Sequence, residues 1–419
     1  MPLQVSQRML GLEGESAFSV GVEAAAWERQ TGRHVYKFQI GQPDFRTPAN
    51  ICAAAVQAIM DGKHGYTPSP GIPELRKAVA DYMTKTYGVL VLPEHVVVGA
   101  GAKCFIGYAI AAVTEPGIGD EVIFPIPGYP IYPAEVYWKG AVARPLALRE
   151  KNGFGFDLEE LARTVNEKTR LLILNTPQNP TGGVLSREEL EAIAKIVLPF
   201  ENLWVLEDGV YSDLIYDGPF TSIASIPGMA ERTIMMNGAS KTHAMTGWRI
   251  GFAANPLLAP YFATQVTVAS GCAGHVDQYA ALEALTGPQT EQQEMKRIFH
   301  ERRDFIVAGL NKIPGVDCVM PGGAFYVYPN VTRACKIVGA KDAEEFRQML
   351  LHEAWVSVTA DTHFGPKVPN DGEHIRFSYA SSMEEIEKGI KAMHDWIGDI
   401  VTRKRLARRA RVSRMIAKS

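Results

Sequence analysis

Asn237-Gly-Ala-Ser-Lys-Thr-His-Ala-Met-Thr-Gly-Trp-Arg-Ile-Gly251 is the stretch whose reading decides the fold. Two short apolar runs bracket it, Thr233–Asn237 and Ile250–Ala253, both of strand length. Lys241 therefore stands just past a strand end, with Arg249 eight residues later behind Thr246-Gly-Trp. A lysine after a strand is ordinarily a surface residue. Here Ala244-Met245 and Gly247-Trp248 lie between the two charges, and a solvated loop seldom carries Met and Trp. The pattern suits a fixed, partly desolvated amine able to form a Schiff base, beside a guanidinium able to clamp a phosphate through paired donors.

Outward from this segment the same alternation repeats. Val96–Val98, Glu121–Phe124, Leu171–Asn175 and Leu203–Leu206 are further strand candidates, separated by helical segments, the pattern of a largely parallel α/β sheet. Thr47-Pro48 offers an N-cap followed by proline at the first helical position, for a helix running to about Met60 and stopping near Gly62. A second helix follows Gly71-Ile72-Pro73 and runs to Tyr87-Gly88, and a third opens at Gly101-Ala102-Lys103. After about residue 290 the texture changes. Glu291–Leu310 has the spacing of a long charged amphipathic helix. Val316–Val319, Ala324–Tyr328, Trp355–Val358 and His374–Ser378 suit strands of a smaller α+β layer. The last long helix begins near Ser382, which caps it ahead of acids in the first turn.

A chain of 419 residues is longer than one core usually supports, so two domains are expected. With 46% hydrophobic and 21% charged residues the composition is that of a globular protein. The formal charge of -3 argues against a general polyanion binder, and no apolar run is long enough to cross a bilayer. The opening MPLQVSQRMLGLEGESAF lacks the charged head and apolar stretch of a secretory signal. Five scattered cysteines without metal-ligand spacing fit a reduced, cytoplasmic setting and no metal site. The charge is uneven, however. Residues 402–419 hold Arg403, Lys404, Arg405, Arg408, Arg409, Arg411, Arg414 and Lys418 and no acid, and without them the formal charge falls from -3 to -11. The simplest reading of this tail is a solvated helical extension, with neither nucleic acid nor membrane as partner.

Other motifs sit at strand ends. Asp208, in Leu206-Glu-Asp-Gly-Val-Tyr-Ser-Asp213, follows one; a lone aspartate there is commonly a helix cap, but it can also hold a cation. Asn175-Thr-Pro-Gln-Asn-Pro-Thr-Gly182 follows another, as a proline-rich loop. Gly101-Ala102-Lys103 follows a third, where small residues let backbone N–H groups approach a phosphate. Arg376 lies in an otherwise apolar strand, His374-Ile-Arg-Phe-Ser-Tyr-Ala380, and a buried guanidinium needs an anion, either a protein acid or a ligand.

Together, in this order and spacing, these motifs resemble the class I/II aminotransferases, fold type I of the pyridoxal-phosphate enzymes, from about Val20 to about Lys391. The resemblance implies an α/β fold with a large domain around a mainly parallel seven-stranded sheet and a small α+β domain. The expected boundaries are 46–290 for the large cofactor-binding domain, 1–45 and 291–401 for the small one, and 402–419 as the basic extension. It implies pyridoxal 5'-phosphate bound covalently by Lys241, Asp208 at the pyridinium nitrogen, and Tyr211 and Asn179 at the phenolic oxygen. Gly101, Ala102, Lys103, Ser240 and Arg249 would hold the phosphate, Tyr129 of Pro127-Gly-Tyr-Pro-Ile-Tyr-Pro133 would stack on the ring, and Tyr66 would reach the phosphate of the neighbouring subunit of a homodimer. Gly41 and Asn179 would face the substrate, whose α-carboxylate Arg376 would hold. Lys241, Asp208 and Tyr211 are the catalytic candidates.

The implied reaction moves an amino group from an amino acid to a 2-oxo acid in ping-pong fashion. In one bacterial aspartate aminotransferase subgroup a lysine at the place of Lys103 faces the substrate's distal carboxylate. Aspartate is therefore the favoured donor and 2-oxoglutarate the acceptor. Alanine or aromatic donors, or a carbon–sulfur lyase on the same fold, are the alternatives. Three positions depart from the family pattern: Gly238 replaces a common serine, His243 a common aromatic, and Val356-Ser-Val-Thr-Ala-Asp361 a Val-Pro-Gly pattern.

Overall fold

The computed structural model describes residues 4–12 and 14–416, with residues 408, 411, 412 and 414 described by backbone alone; Lys418 of the basic tail lies outside the described residues. The chain divides into two compact units. The first comprises Met1–Gly14, Gln42–Ile298 and Gly322–Ala324, the second Glu15–Gly41, Phe299–Pro321 and Phe325–Ser419.

The first unit is built on seven strands: β1 (Val96–Ala100), β2 (Glu121–Ile126), β3 (Val142–Ala147), β4 (Thr169–Asn175), β5 (Trp204–Asp208), β6 (Thr233–Gly238) and β7 (Ile250–Ala254). Their order is β1-β7-β6-β5-β4-β2-β3, parallel from β6 to β3, with β7 antiparallel to both its neighbours. The expected mainly parallel seven-stranded sheet is thus present. The central strands are apolar along their length because helices cover both faces, so no alternation is needed. Helix Arg187–Val197 shows how a covering helix is specified. Leu190, Ile193, Ala194 and Val197 recur at helical spacing and are buried, while Ser186 and Glu189 close a reciprocal capping box at its start.

Four sequence expectations are corrected. β3 was not among the strand candidates; it is an edge strand whose first four residues are exposed, and Arg144 and Pro145 break its apolar run. The helix expected from Thr47-Pro48 spans Ala49–Met60 with Pro48 at its cap. Thr47 is used elsewhere: its hydroxyl donates to Ala244 O at 2.7 Å and accepts from Trp248 Nε1 at 3.0 Å. The third helix starts at Cys104, so Gly101-Ala102-Lys103 forms the turn before it. Val316–Val319 is no strand. Asp317 makes a single bridge to Asn330, and the Asn311 side chain takes both backbone groups of Cys318.

The second unit has a parallel pair, Tyr36–Lys37 with Val356–Ser357, and an antiparallel trio in which Ile375–Ser378 lies between Thr359–Ala360 and Tyr326–Val327. Trp355, in the left-handed region at φ 56°, ends helix Ala343–Ala354 and sets off the strands after it. Helix Met383–Ile416 opens at Ser382, whose hydroxyl accepts from Glu385 N at 3.2 Å. Among the described residues no helix is long and apolar enough to cross a membrane.

One buried acid makes stability depend on pH. Glu207, on β5, is fully buried, accepts from Ser222 Oγ and accepts from Ile223 N at 3.0 Å. Burial pushes its carboxyl up to about 7, against the lowering effect of these two donors. A carboxyl raised on folding holds its proton more tightly in the folded state. Its contribution is therefore complete at low pH and is lost as pH rises from the ordinary glutamate range through about 7. Glu207→Gln should remove that loss: melting curves are expected to place the variant about 2 °C or more above the parent at pH 8 and no higher at pH 5. A gap independent of pH would show that Glu207 is not the titrating group.

Candidate active site

Strand register assembles the candidate site. Asn175 at the end of β4 lies opposite Asp208 at the end of β5, which lies opposite Met236 on β6. Gly238, two residues on, lies opposite Gly251, which lies opposite Gly99 on β1. The loops that leave these ends carry Asn179, Tyr211, Lys241 and Gly101–Lys103, so parallel strands deliver all of them to one end of the sheet.

Asp208 is the electrostatic centre. It is 4% exposed, accepts from Tyr132 Oη at 2.7 Å through Oδ2, and accepts from Val210 N at 3.3 Å through Oδ1. Burial pushes its carboxyl up to about 6, although Tyr132, Val210 and the charge of Lys241 all act to lower it. A buried acid of this kind is poised to meet a cation. Tyr132 was not singled out from the sequence, although it lies three residues beyond Tyr129, and the two rings meet edge to face at 5.7 Å. Asn175 carries no local sequence signal of a site role. Its amide donates to Asp208 O at 3.0 Å and Pro177 O at 3.3 Å, and its Oδ1 accepts from Asn179 N at 2.9 Å. Asn175 thereby ties the Asn179 loop to the strand end that carries Asp208. Asn179 and Tyr211 are both buried in this region.

The turn Gly101-Ala102-Lys103 is packed too closely for side chains. Gly101 sits at φ 86°, and a Cβ there would overlap the Arg249 guanidinium. A Cβ on Gly251 would overlap the Ala102 backbone. Arg249 is itself in the left-handed region at φ 54°, with Nη1 donating to Thr246 O at 2.9 Å. The guanidinium therefore lies against the turn that opens helix Cys104–Val113, where helix N–H groups and a fixed cation face the same space. Gly238 also has a local cause: a Cβ there would lie 3.1 Å from both Gly251 Cα and Ile250 O. Ser240 and Lys241 occupy the short helix Ala239–Thr242, both half-buried. Lys103 Nζ lies 5.6 Å from the centroid of the Tyr129 ring, and its charge also acts on Glu135.

The remaining candidates stand apart. Tyr66 is 92% exposed, so this chain does not bring it to its own strand ends. His243 is buried, with Nε2 at 3.2 Å from Gln289 Oε1, and burial holds its imidazole below the usual range; it fills core space. In the second unit, a side chain on Gly41 would overlap the Tyr326 hydroxyl. Arg376 is 3% exposed, and its Nη2 donates to Gln39 O at 2.6 Å. Its guanidinium lies 4.5 Å from the Tyr326 ring and 4.8 Å from that of Phe364, which fixes its plane.

Comparison with known proteins gives a consistent result. The family model described as aminotransferase class I and II matches residues 33–393. The chain is 38% identical to the asparagine–oxo-acid transaminase of Streptococcus mutans over 392 residues, 92% of this chain and 97% of that protein. It is 39% identical to the aspartate/prephenate aminotransferase of Cereibacter sphaeroides over 365 residues, 85% and 90% of the two chains. The solved structure of the aspartate aminotransferase from Rhizobium meliloti matches with a TM-score of 0.88 at 32% identity, covering 95% of this chain and 99% of that one.

Proposed function

This chain belongs to the class I and II aminotransferase family, and from that premise we propose that it holds pyridoxal phosphate on Lys241 and takes a dicarboxylic amino acid, aspartate first, as donor with 2-oxoglutarate as acceptor. It is an aminotransferase, and the family depends on pyridoxal phosphate. The observation that carries the cofactor reading is the buried Asp208 carboxyl beside Lys241 at the strand ends. The residues present fit the group. Arg249 and the Gly101–Lys103 turn suit a phosphate monoester, Asp208 suits a ring cation, and Tyr129 supplies an aromatic face. Cofactor binding falls to residues 46–290 on this reading.

When bound, the cofactor supplies a cationic ring that stabilises negative charge developing at the donor's Cα. Asp208 would keep that ring cationic, since an ionised carboxylate and a ring N–H stabilise each other in a buried site. Asn179 and Tyr211 would donate to the phenolic oxygen. Lys241, freed when the donor takes its place, would remove the Cα proton and deliver it to the cofactor's C4′ carbon, and would carry a proton the opposite way, from C4′ to the acceptor's Cα, in the second half-reaction. Arg376, its plane fixed by two rings, would take the α-carboxylate through paired donors, with Gly41 leaving room for the substrate. Tyr66 would serve the neighbouring subunit's phosphate, which makes a cytoplasmic homodimer part of this reading; its exposure supports that role.

Two experiments test these assignments. Gly251→Ala should push the Ala102 backbone away and raise the cofactor concentration for half-maximal activity by about ten-fold or more, as fits strain of about 1–3 kcal/mol; an unchanged requirement would remove this turn from the phosphate site. For the donor, Lys103→Ala should lower kcat/KM for aspartate by about 10–100-fold through one lost charge-assisted hydrogen bond, while alanine, asparagine and an aromatic donor change far less. An equal loss for all four would assign Lys103 to the cofactor phosphate and overturn the aspartate assignment. Lys103 lies over the Tyr129 ring on either reading, so the comparison decides between two concrete roles.

A further inference from the structure

Helix Met383–Ile416 runs unbroken for 34 residues, about 51 Å at the ordinary rise per residue. Its first half is part of the second unit's core: Ile386, Ile390, Met393 and Ile397 are buried, and Trp396 Nε1 donates to Glu353 at 2.9 Å. Beyond Val401 every described side chain is exposed. The family match ends at residue 393, so this stretch lies outside it.

The addition is chemically one-sided. Six arginines and two lysines lie within residues 402–419, with no acid. Arg403, Arg405 and Arg409 are exposed, and no carboxylate pairs with them among the described residues. Lys404 Nζ donates to Ile337 O at 2.7 Å. Lys404 with Arg408 and Arg405 with Arg409 are like charges at i,i+4, which oppose helix formation. An unpacked helix of like charges is stabilised by an external polyanion, and we propose that residues 402–416 form a cationic arm that binds the phosphate backbone of a nucleic acid duplex.

A bilayer surface fits less well. Interfacial helices need one continuous apolar face, whereas at about 3.6 residues per turn the side that carries Val401, Met415 and Ile416 also carries Arg405, Leu406 projects elsewhere, and the arm has no Trp or Phe. The arm is also rich in arginine, whose planar fork matches phosphate oxygens. Along the helix the charges recur about every 3 Å, close to the phosphate spacing of about 3.4 Å along one strand of a duplex. Without the arm the formal charge is -11, so the body would not bind a polyanion unaided.

The test is fluorescence anisotropy of a labelled 24-base-pair DNA duplex, titrated with the full-length enzyme between 50 and 200 mM KCl. Neutralising about four phosphates should weaken binding about 100-fold over that range. Deleting residues 402–419 should weaken binding at 50 mM KCl at least ten-fold while leaving transamination unchanged. Replacing Arg403, Arg405 and Arg409 together with Gln should flatten the salt slope. No binding by the full-length chain, or equal binding after the deletion, would overturn the proposal. So would tighter binding to phosphatidylserine vesicles at equal phosphate concentration, or arm-dependent self-association without duplex binding.

Discussion

Lys241→Ala is expected to abolish turnover, lowering kcat by about 10⁴-fold or more, because the covalent attachment and the general base are lost with one side chain. The effect should be confined to chemistry. Lys241 sits in the four-residue helix Ala239–Thr242 and is only half-buried, so its removal leaves the packing around Ala239 and Met245 in place. Thermal melting of the cofactor-free variant should therefore stay close to that of the parent. Steady-state kinetics with aspartate and 2-oxoglutarate gives the first measurement and calorimetry the second. Retained turnover within ten-fold of the parent would remove Lys241 from the reaction.

Asp208→Asn should give the second largest loss, with opposite signs in activity and stability. kcat should fall by about 10²–10³-fold with little change in KM, because the carboxylate matters most when charge develops at Cα. The cofactor-free protein should behave differently. Burial pushes the Asp208 carboxyl up to about 6, so without a cationic ligand its stability contribution is complete below the ordinary aspartate range and is lost as pH rises through about 6. The amide carries no such penalty. Melts of cofactor-free Asp208→Asn are expected about 2 °C or more above the parent at pH 8, with the gap closing at pH 5. A variant that raises only KM, or whose melt gains nothing at pH 8, would show that Asp208 is not held as a buried anion for the ring.

The contrast between what could be read from the sequence and what could not follows from the range of each interaction. Lys241 and Arg249 stand out in the sequence because Met245 and Trp248 lie between them, a local oddity for a solvated loop. The central strands were legible because each is an apolar run of strand length. β3 escaped because, at an edge, it satisfies solvent as well as the sheet, and Arg144 pairs with Glu121 on the neighbouring strand. Thr47 has the chemistry of a helix cap, yet its hydroxyl bonds Ala244 and Trp248, about two hundred residues away in sequence. Tyr132 and Asn175 were missed for a related reason. Each acts on Asp208 or its loop through pairings that exist only once the sheet register is set. The crowding at Gly238 and Gly251 is likewise nonlocal, since it depends on β6, β7 and the Gly101 turn meeting.

The most direct test of the central claim is chemical. Borohydride reduction of the enzyme with pyridoxal phosphate bound should fix the cofactor on its lysine as a stable secondary amine. Tryptic mapping should then recover it on the peptide Thr233–Arg249, uncleaved at Lys241. A pyridoxyl group on Lys103 or any other lysine, or an unlabelled peptide cleaved normally after Lys241, would contradict the account.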